Sequence, residues 1–366
     1  ELRTLRGWTR VAWWMGAAGL AVRLAMVLDR AMSKPVLGWD AFIVHALRAK
    51  AMYYDQTISA STLQFIGNAD YPLGFPLIEL WVSWCAGGWD DTAFKLVFPC
   101  LLAALLAMMY GGLRHAFGPL GAMAGTWLVA GLPLLVQHAT DAYLDLPLAY
   151  AALGAAIFLW RYATTRHASD VVLGSLMTAF AVWMKNEGVL VLGINLIALT
   201  VLAARERRWG DRASWMHIGL FALSPVAIWG AWSAFKMAGG ITGTLTIEGS
   251  AALLHAGRLP DVLALMAFEL VQSANWHVLW PVFFAGWMVY FRRSFDPSFL
   301  FFGWPVVLTL AAFVIVSASS VMYQYLFEGS TAHRMVLHVA PLAAFWVALV
   351  LGDLLRMTRR EVAAGP

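Results

Sequence analysis

The residues of this chain whose types suit chemistry stand at the ends of long apolar runs. They are the acids Asp40, Asp70, Asp141, Asp145 and Glu187 and the cations Lys185 and Arg334. Ionisable groups so close to lipid are costly and mark a substrate path or a reaction. A carboxylate fixed in a pocket poor in water can take a proton from a hydroxyl. A lysine and an arginine together can grip a phosphate, the first as a point charge and the second through its planar fork. Hydroxyl attack on a carbon that carries a phosphate leaving group uses both devices, with the cations stabilising the departing charge.

The elements that must position these groups are membrane spans. The 366 residues are 61% hydrophobic and only 13% charged, with a mean hydropathy of +0.69, which implies an integral helical membrane protein. Its 19 tryptophans suit interfacial belts. The net charge of +4 reflects topology and is no argument for a nucleic-acid partner; the lipid bilayer is the expected environment. Cys85 and Cys100 both lie in apolar segments, so no disulfide framework is expected. No small-residue cleavage pattern follows residues 11–28, which read as a first span rather than a leader. Zinc spacings, a P-loop and a Gly-x-Ser-x-Gly motif are all missing from the sequence, leaving metallohydrolase, ATPase and lipase readings without support.

Hydropathy predicts ten spans, at 8–28, 92–112, 117–137, 146–160, 168–184, 188–203, 214–235, 276–291, 298–317 and 336–355. The apolar stretch 73–88 is short, broken by Pro72, Gly74 and Pro76, and carries Glu79, so it is expected to lie at the interface. With that choice every basic cluster, from Arg3/Arg6/Arg10 to Arg356/Arg359/Arg360, falls on one face, which the positive-inside rule makes cytoplasmic together with both termini. Most of the 21 acids then fall outside, in the long loops 29–91, 236–275 and 318–335. The predicted fold is all-α: one transmembrane domain over residues 1–366, about ten spans, and juxtamembrane helices on the outer side. In a bacterium that side is the periplasm and the membrane the inner one.

Each candidate has a plain and a chemical reading. Asp40 opens a helical pattern, AFIVHALRAKAMYY, expected to rest on the membrane with Phe42, Ile43 and Tyr54 on its apolar face and His45 and Arg48 elsewhere; Arg48, Tyr71 and Glu187 are candidate substrate contacts. Asp40 is either that helix's N-cap or a general base. Asp70, before Tyr71-Pro72, either caps, binds a metal or orients an acceptor. Asp141 and Asp145 share a helix face only if one helix contains both, and one of the two is expected to point into the site. Lys185-Asn186-Glu187-Gly188 divides an apolar run over 168–203 that as one helix would be roughly 54 Å long, so a tight outer turn belongs there. His255 and Arg258 sit in an amphipathic stretch that could rest on the leaflet or form a lid, as substrate or headgroup contacts. His333 and Arg334 precede the last span; Arg334 either snorkels or completes a phosphate clamp with Lys185.

Taken in order, these residues resemble the GT-C superfamily of polyprenyl-phosphate-sugar-dependent glycosyltransferases, nearest its protein O-mannosyltransferase and lipid A aminoarabinose transferase branch. The resemblance rests on Asp40 behind the first span, Tyr71-Pro72 to Pro76, Thr140-Asp141 to Pro147, Lys185-Asn186-Glu187-Gly188 and His333-Arg334. It implies inverting transfer of a sugar from a polyprenyl-phosphate carrier to an extracytoplasmic glycan, lipid or protein acceptor, with the first-loop aspartate as catalytic carboxylate. A divalent metal is possible, but the acid and lysine that hold it before paired prolines in some members are not reproduced, since Asp70 is followed by Tyr71. The chain also stops at Pro366, so the large soluble domain of some members is not expected. Two other readings stay open, a flippase for lipid-linked oligosaccharides and an O-antigen-type polymerase or ligase. Repeat symmetry and midplane charges, which a transporter would favour, are not visible in the sequence. The geometry expected of the transferase is an aspartate across a membrane-edge pocket from two cations, with the glycolipid head between them.

Overall fold

The structure, a computed structural model, describes residues 5–66, 68–208, 210–243 and 256–364. They fold into helices without a β-strand. In chain order these are α1 (Trp8–Met32), a π-helical turn (Ala41–Ala46) running into α2 (Leu47–Asp55), α3 (Ala60–Ile66), α4 (Gly74–Cys85), α5 (Val97–Ala130), α6 (Pro133–Asp141), α7 (Asp145–Thr165), α8 (Ala168–Met184), α9 (Gly188–Arg205) and α10 (Arg212–Ala238). After the stretch 244–255, outside the described residues, come α11 (Leu259–Leu270), α12 (Ser273–Trp276), α13 (Leu279–Tyr290), α14 (Pro297–Ser319), α15 (Met322–Phe327), α16 (Ala332–Leu337) and α17 (Ala340–Ala364).

Among the described residues, seven helical stretches are long and apolar enough to cross a bilayer. One of them, 93–130, is not a straight rod. Gly118 has φ +69°, and a Cβ placed on Gly125 would run into Leu113, twelve positions away. A straight helix would hold those residues roughly 18 Å apart. The two halves of α5 are therefore antiparallel neighbours that reverse at Gly118 and Pro119. With that division and the shorter helices α8 and α13, a helix stands at each of the ten spans read from hydropathy. α4 has 12 residues, about 18 Å, too short by itself for about 30 Å of hydrocarbon; α13 is no longer, but the helical turns Ser273–Trp276 and Phe291–Phe295 flank it on both sides.

The core is aromatic and lies between α5, α7, α13, α14 and α17, where Phe302 and Phe345 stack 4.2 Å apart and Phe283 packs 5.0 Å from Trp346. α1 stands at the side of this body and presents Trp14, Met15, Val22 and Met26 outward. It is pinned by Trp127, whose Nε1 donates to the Gly16 carbonyl over 3.2 Å, and by Trp13 Nε1 donating to the Tyr110 hydroxyl over 3.1 Å.

The helix that follows Asp40 keeps its apolar residues Phe42 and Tyr54 on a different face from His45 and Arg48, as its pattern implies, and the second face is turned into the protein. His45 and Arg48 are buried, whereas Phe42 and Tyr54 are exposed. The reason is a set of backbone carbonyls in the next loop: the Arg48 guanidinium donates to Tyr71 O over 3.1 Å and also to Asn68 O. An apolar-face argument does not see such acceptors.

Candidate active site

The ends of α7 and α8 and the short α16 bring the charged residues to one place, and Asp145 is its centre. α6 ends at Asp141, Ala142 adopts a left-handed conformation (φ +62°), and Asp145 begins α7. The two acids therefore sit on different helices and do not share a face. Asp145 is completely buried. It accepts from Lys185 Nζ at 2.8 Å and from Arg334 Nε at 3.0 Å. His338 Nε2 lies 2.7 Å from Oδ1, and His138 Nδ1 lies 3.4 Å from Oδ2. A lone buried carboxylate would cost several kcal/mol; two cations and two imidazoles offset that desolvation.

Lys185 is delivered by the predicted tight turn. A Cβ on Gly188 would collide with the backbone of Ala181 and Val182, and one on Gly74 with the Trp183 carbonyl, so α8, its turn and the start of α4 meet at glycine-sized distances. Inside the turn Lys185 Nζ is 3.1 Å from Glu187 Oε1, and Asn186 Nδ2 donates to Asp70 Oδ2 over 3.0 Å. Burial works against the Lys185 ammonium, but Asp145 and then Glu187 outweigh it and raise its pKa above the usual lysine range. Burial likewise disfavours the Glu187 carboxylate; Lys185 and then His338 prevail and lower its pKa. Both stay ionised near neutrality.

Arg334 joins the first outer loop to this centre. Its Nη1 donates to Asp40 Oδ2 while its Nε holds Asp145, and its guanidinium lies over the Tyr143 ring, 4.9 Å from the centroid. Burial disfavours the charge; Asp145 and Asp40 together raise the arginine pKa beyond its ordinary value. Asp40 makes no capping bond to its own helix. Of its two readings, the local one has no geometric support. The expected gap between Asp40 and the cations is closed in this structure, because a guanidinium with an unused donor takes the nearest carboxylate.

The other predicted residues divide into three groups. Tyr71 is close to the cluster: the Glu187 charge and then burial raise its pKa, keeping the phenol protonated. Asp70, Arg48 and Asp141 brace the surroundings. The Asp70 carboxylate takes the Asn186 amide and its carbonyl takes Trp232 Nε1 over 3.1 Å. Arg48, expected to bind substrate, is instead buried against loop carbonyls, and burial pushes its pKa down to about 10. Asp141 is 3.8 Å from Lys34. The third group lies apart. His333, beside Arg334 in α16, is within electrostatic reach of Glu269, Arg334 and Asp145, so of this group it stands nearest the cluster. Arg258 lies 4.7 Å over the Tyr323 ring, where α11 meets α15, so the stretch packs on the body and is not a free lid there. His255 lies outside the described residues.

Sequence reasoning missed His338, His138, His45 and Tyr143. For His338 a signal existed: Arg334 and His338 are four residues apart, the spacing of one helix face. The others are assembled across elements and left none. From Glu187 and His338 a narrow cavity continues between α7, α9, α14 and α17, past Leu148, Val191, Ile194 and Phe313. At its mouth His338 Nδ1 and Glu187 Oε2 are buried with no hydrogen-bond partner. Among the described residues no group of three or more His, Cys, Asp or Glu side chains is arranged to hold a metal, and Asp70, the candidate ligand, is engaged by Asn186.

Residues 76–232 match the family model described as dolichyl-phosphate-mannose-protein mannosyltransferase. No curated protein sequence matches the chain. Its fold is similar to that of ArnT from Cupriavidus metallidurans bound to undecaprenyl phosphate, with a TM-score of 0.65 at 17% identity over 96% of this chain and 64% of that one. The apo state of the same protein gives 0.61 at 16% identity, over 92% and 59%. The archaeal oligosaccharyltransferase AglB from Archaeoglobus fulgidus, in complex with an inhibitory peptide and a dolichol-phosphate, gives 0.53 at 11% identity, over 98% and 53%. The chain spans less than two thirds of the length of these proteins.

Proposed function

We propose that this multi-pass membrane protein, whose fold is that of the GT-C glycosyltransferases, moves a sugar with inversion from a polyprenyl-phosphate carrier to a hydroxyl on an extracytoplasmic glycan, lipid or protein. One observation carries the reading. Two cations, Lys185 and Arg334, are held at the rim of the spans on a single buried carboxylate, with Asp40 on the far side of the same guanidinium. The carrier class is further supported by the undecaprenyl phosphate and dolichol-phosphate bound to the similar ArnT and AglB.

In this mechanism Asp40 accepts the proton of the acceptor hydroxyl. The resulting oxygen attacks the anomeric carbon from the face opposite the phosphate, and the bond from that carbon to the phosphate oxygen breaks with its electron pair leaving on the phosphate. Arg334 and Lys185 stabilise that growing negative charge in a site shielded from water, where fixed charge is most effective. Asp145 does not touch substrate; it fixes both cations. Glu187 Oε2 and His338 Nδ1, buried acceptors with no partner, would receive hydroxyls of the sugar.

The arginine-rich ends of α7 and α9 lie one span length from this cluster, which supports a site facing the periplasm and cytoplasmic termini in a bacterial inner membrane. The test is purified protein mixed with a labelled short-chain polyprenyl-phosphate sugar. Release of polyprenyl phosphate, with a product of opposite anomeric configuration by NMR, is the expected result. Movement of the intact lipid across a vesicle without cleavage would replace this reading with a transporter.

A further inference from the structure

Direct contacts around the two cations include three carboxylates. Lys185 touches Asp145 and Glu187; Arg334 touches Asp145 and Asp40. The cluster thus has one negative charge more than it has positive, which repels an arriving phosphate. Asp145 has no freedom to leave, being completely buried and also in contact with His338 and His138. Asp40 is different: its side chain is 33% exposed, and among the described residues its ion pair is with Arg334.

We propose that the donor phosphate displaces Asp40 from Arg334, and that this exchange of partners is what frees Asp40 to act. The guanidinium keeps Nε on Asp145 and passes the donor that held Asp40 to a phosphate oxygen. Released Asp40 then stands one guanidinium width from the reacting carbon with its lone pairs open. The protein cannot use Asp40 as a base before the carrier has bound, so the carrier is the obligatory first substrate and unproductive proton transfer to water is limited. This inference rests on the functional reading above, in which Arg334 binds phosphate and Asp40 is the base. It adds that the two roles exclude each other until the carrier arrives.

The experiment measures binding of a short-chain polyprenyl monophosphate, without sugar, to the full chain and to Asp40→Asn. Removing the internal competitor should tighten binding by about tenfold, the size of one charge-assisted contact. Equal or weaker binding by a folded Asp40→Asn protein overturns the exchange. Its turnover is read separately. Tighter binding with lost turnover supports both ideas; tighter binding with wild-type turnover keeps the exchange and removes the base; unchanged binding with lost turnover does the reverse. A second measurement needs no variant. Carbodiimide labelling of Asp40 in the unaltered protein, read by mass spectrometry, should rise on adding the polyprenyl monophosphate and not on adding the polyprenol. Labelling that stays constant with the phosphate also overturns the proposal.

Discussion

The two ends of α7 are both rich in ion pairs, yet they are built on different plans. At one end Asp145 is wholly buried and shared by Lys185, Arg334 and two histidines. About 31 Å away, at the other end, charges meet in small groups closer to solvent, where Glu206 takes Arg166 and Arg208 and where Arg293 contacts both Asp296 and Asp353. Arg166 meets Glu206, Arg205 meets Asp296 at 2.5 Å, and Arg293 meets Asp353 at 2.5 Å. Pairs of the second kind contribute about 0–1 kcal/mol each and are screened by salt; they stitch the ends of spans together and mark topology. The first kind has to overcome several kcal/mol of desolvation per ion, and apolar packing of equal volume would be as stable. A cluster kept against that cost is a better sign of chemistry than a count of charges.

The largest expected effect tests whether Asp145 is the keystone. Asp145→Asn leaves Lys185 and Arg334 facing each other without their common counter-ion, so unfolding in detergent should become easier by about 3–5 kcal/mol and turnover should vanish. A variant as stable as the wild type would erase the contrast between the two ends. Next, Asp40→Asn should reduce turnover about 10²–10⁴-fold while the melting temperature hardly moves, because its pair with Arg334 is half-open to solvent. Wild-type turnover would remove Asp40 as the base.

A smaller effect is expected of Arg334→Lys. Lysine cannot bridge two acids with a rigid fork, and kcat/KM for the lipid donor should fall about 10–100-fold, mostly through KM. Unchanged donor kinetics would defeat the clamp. pH gives a milder test through Glu187. Its folded pKa is held below the ordinary 4.5 by Lys185, so its contribution is complete above about pH 4.5 and is lost as the pH falls through the depressed value. The difference in melting temperature between wild type and Glu187→Gln should therefore be constant at neutral pH and shrink under strong acid. Least of all, Arg205→Ala should cost under about 1 kcal/mol and leave turnover alone, which an activity assay beside a thermal melt would check. A large loss there would mean that the arginine-rich end is more than stitching.

Much of the fold was legible because lipid imposes a simple rule, that each crossing needs a long apolar helix. The tight turn at Lys185-Asn186-Glu187-Gly188 was legible for the same reason, since the apolar run was twice too long. Orientation was harder. The Asp40 helix read as a membrane-surface helix with His45 and Arg48 away from its apolar face, but its pattern did not show that the carbonyls of Asn68 and Tyr71 bury Arg48. Asp141 and Asp145 could not be told apart by spacing, because a left-handed Ala142 breaks the helix between them.

The sequence by itself determined that the chain lives in a bilayer, where its spans fall, and which acids and cations gather at their ends. These follow from composition and periodicity, which act locally along the chain. Tertiary structure alone decided that Lys185, Arg334 and His338 converge on Asp145 and that Asp40 reaches the same guanidinium from 294 residues away. The strength of an ionic site depends on distance and dielectric between groups, and neither quantity is written in the order of residues.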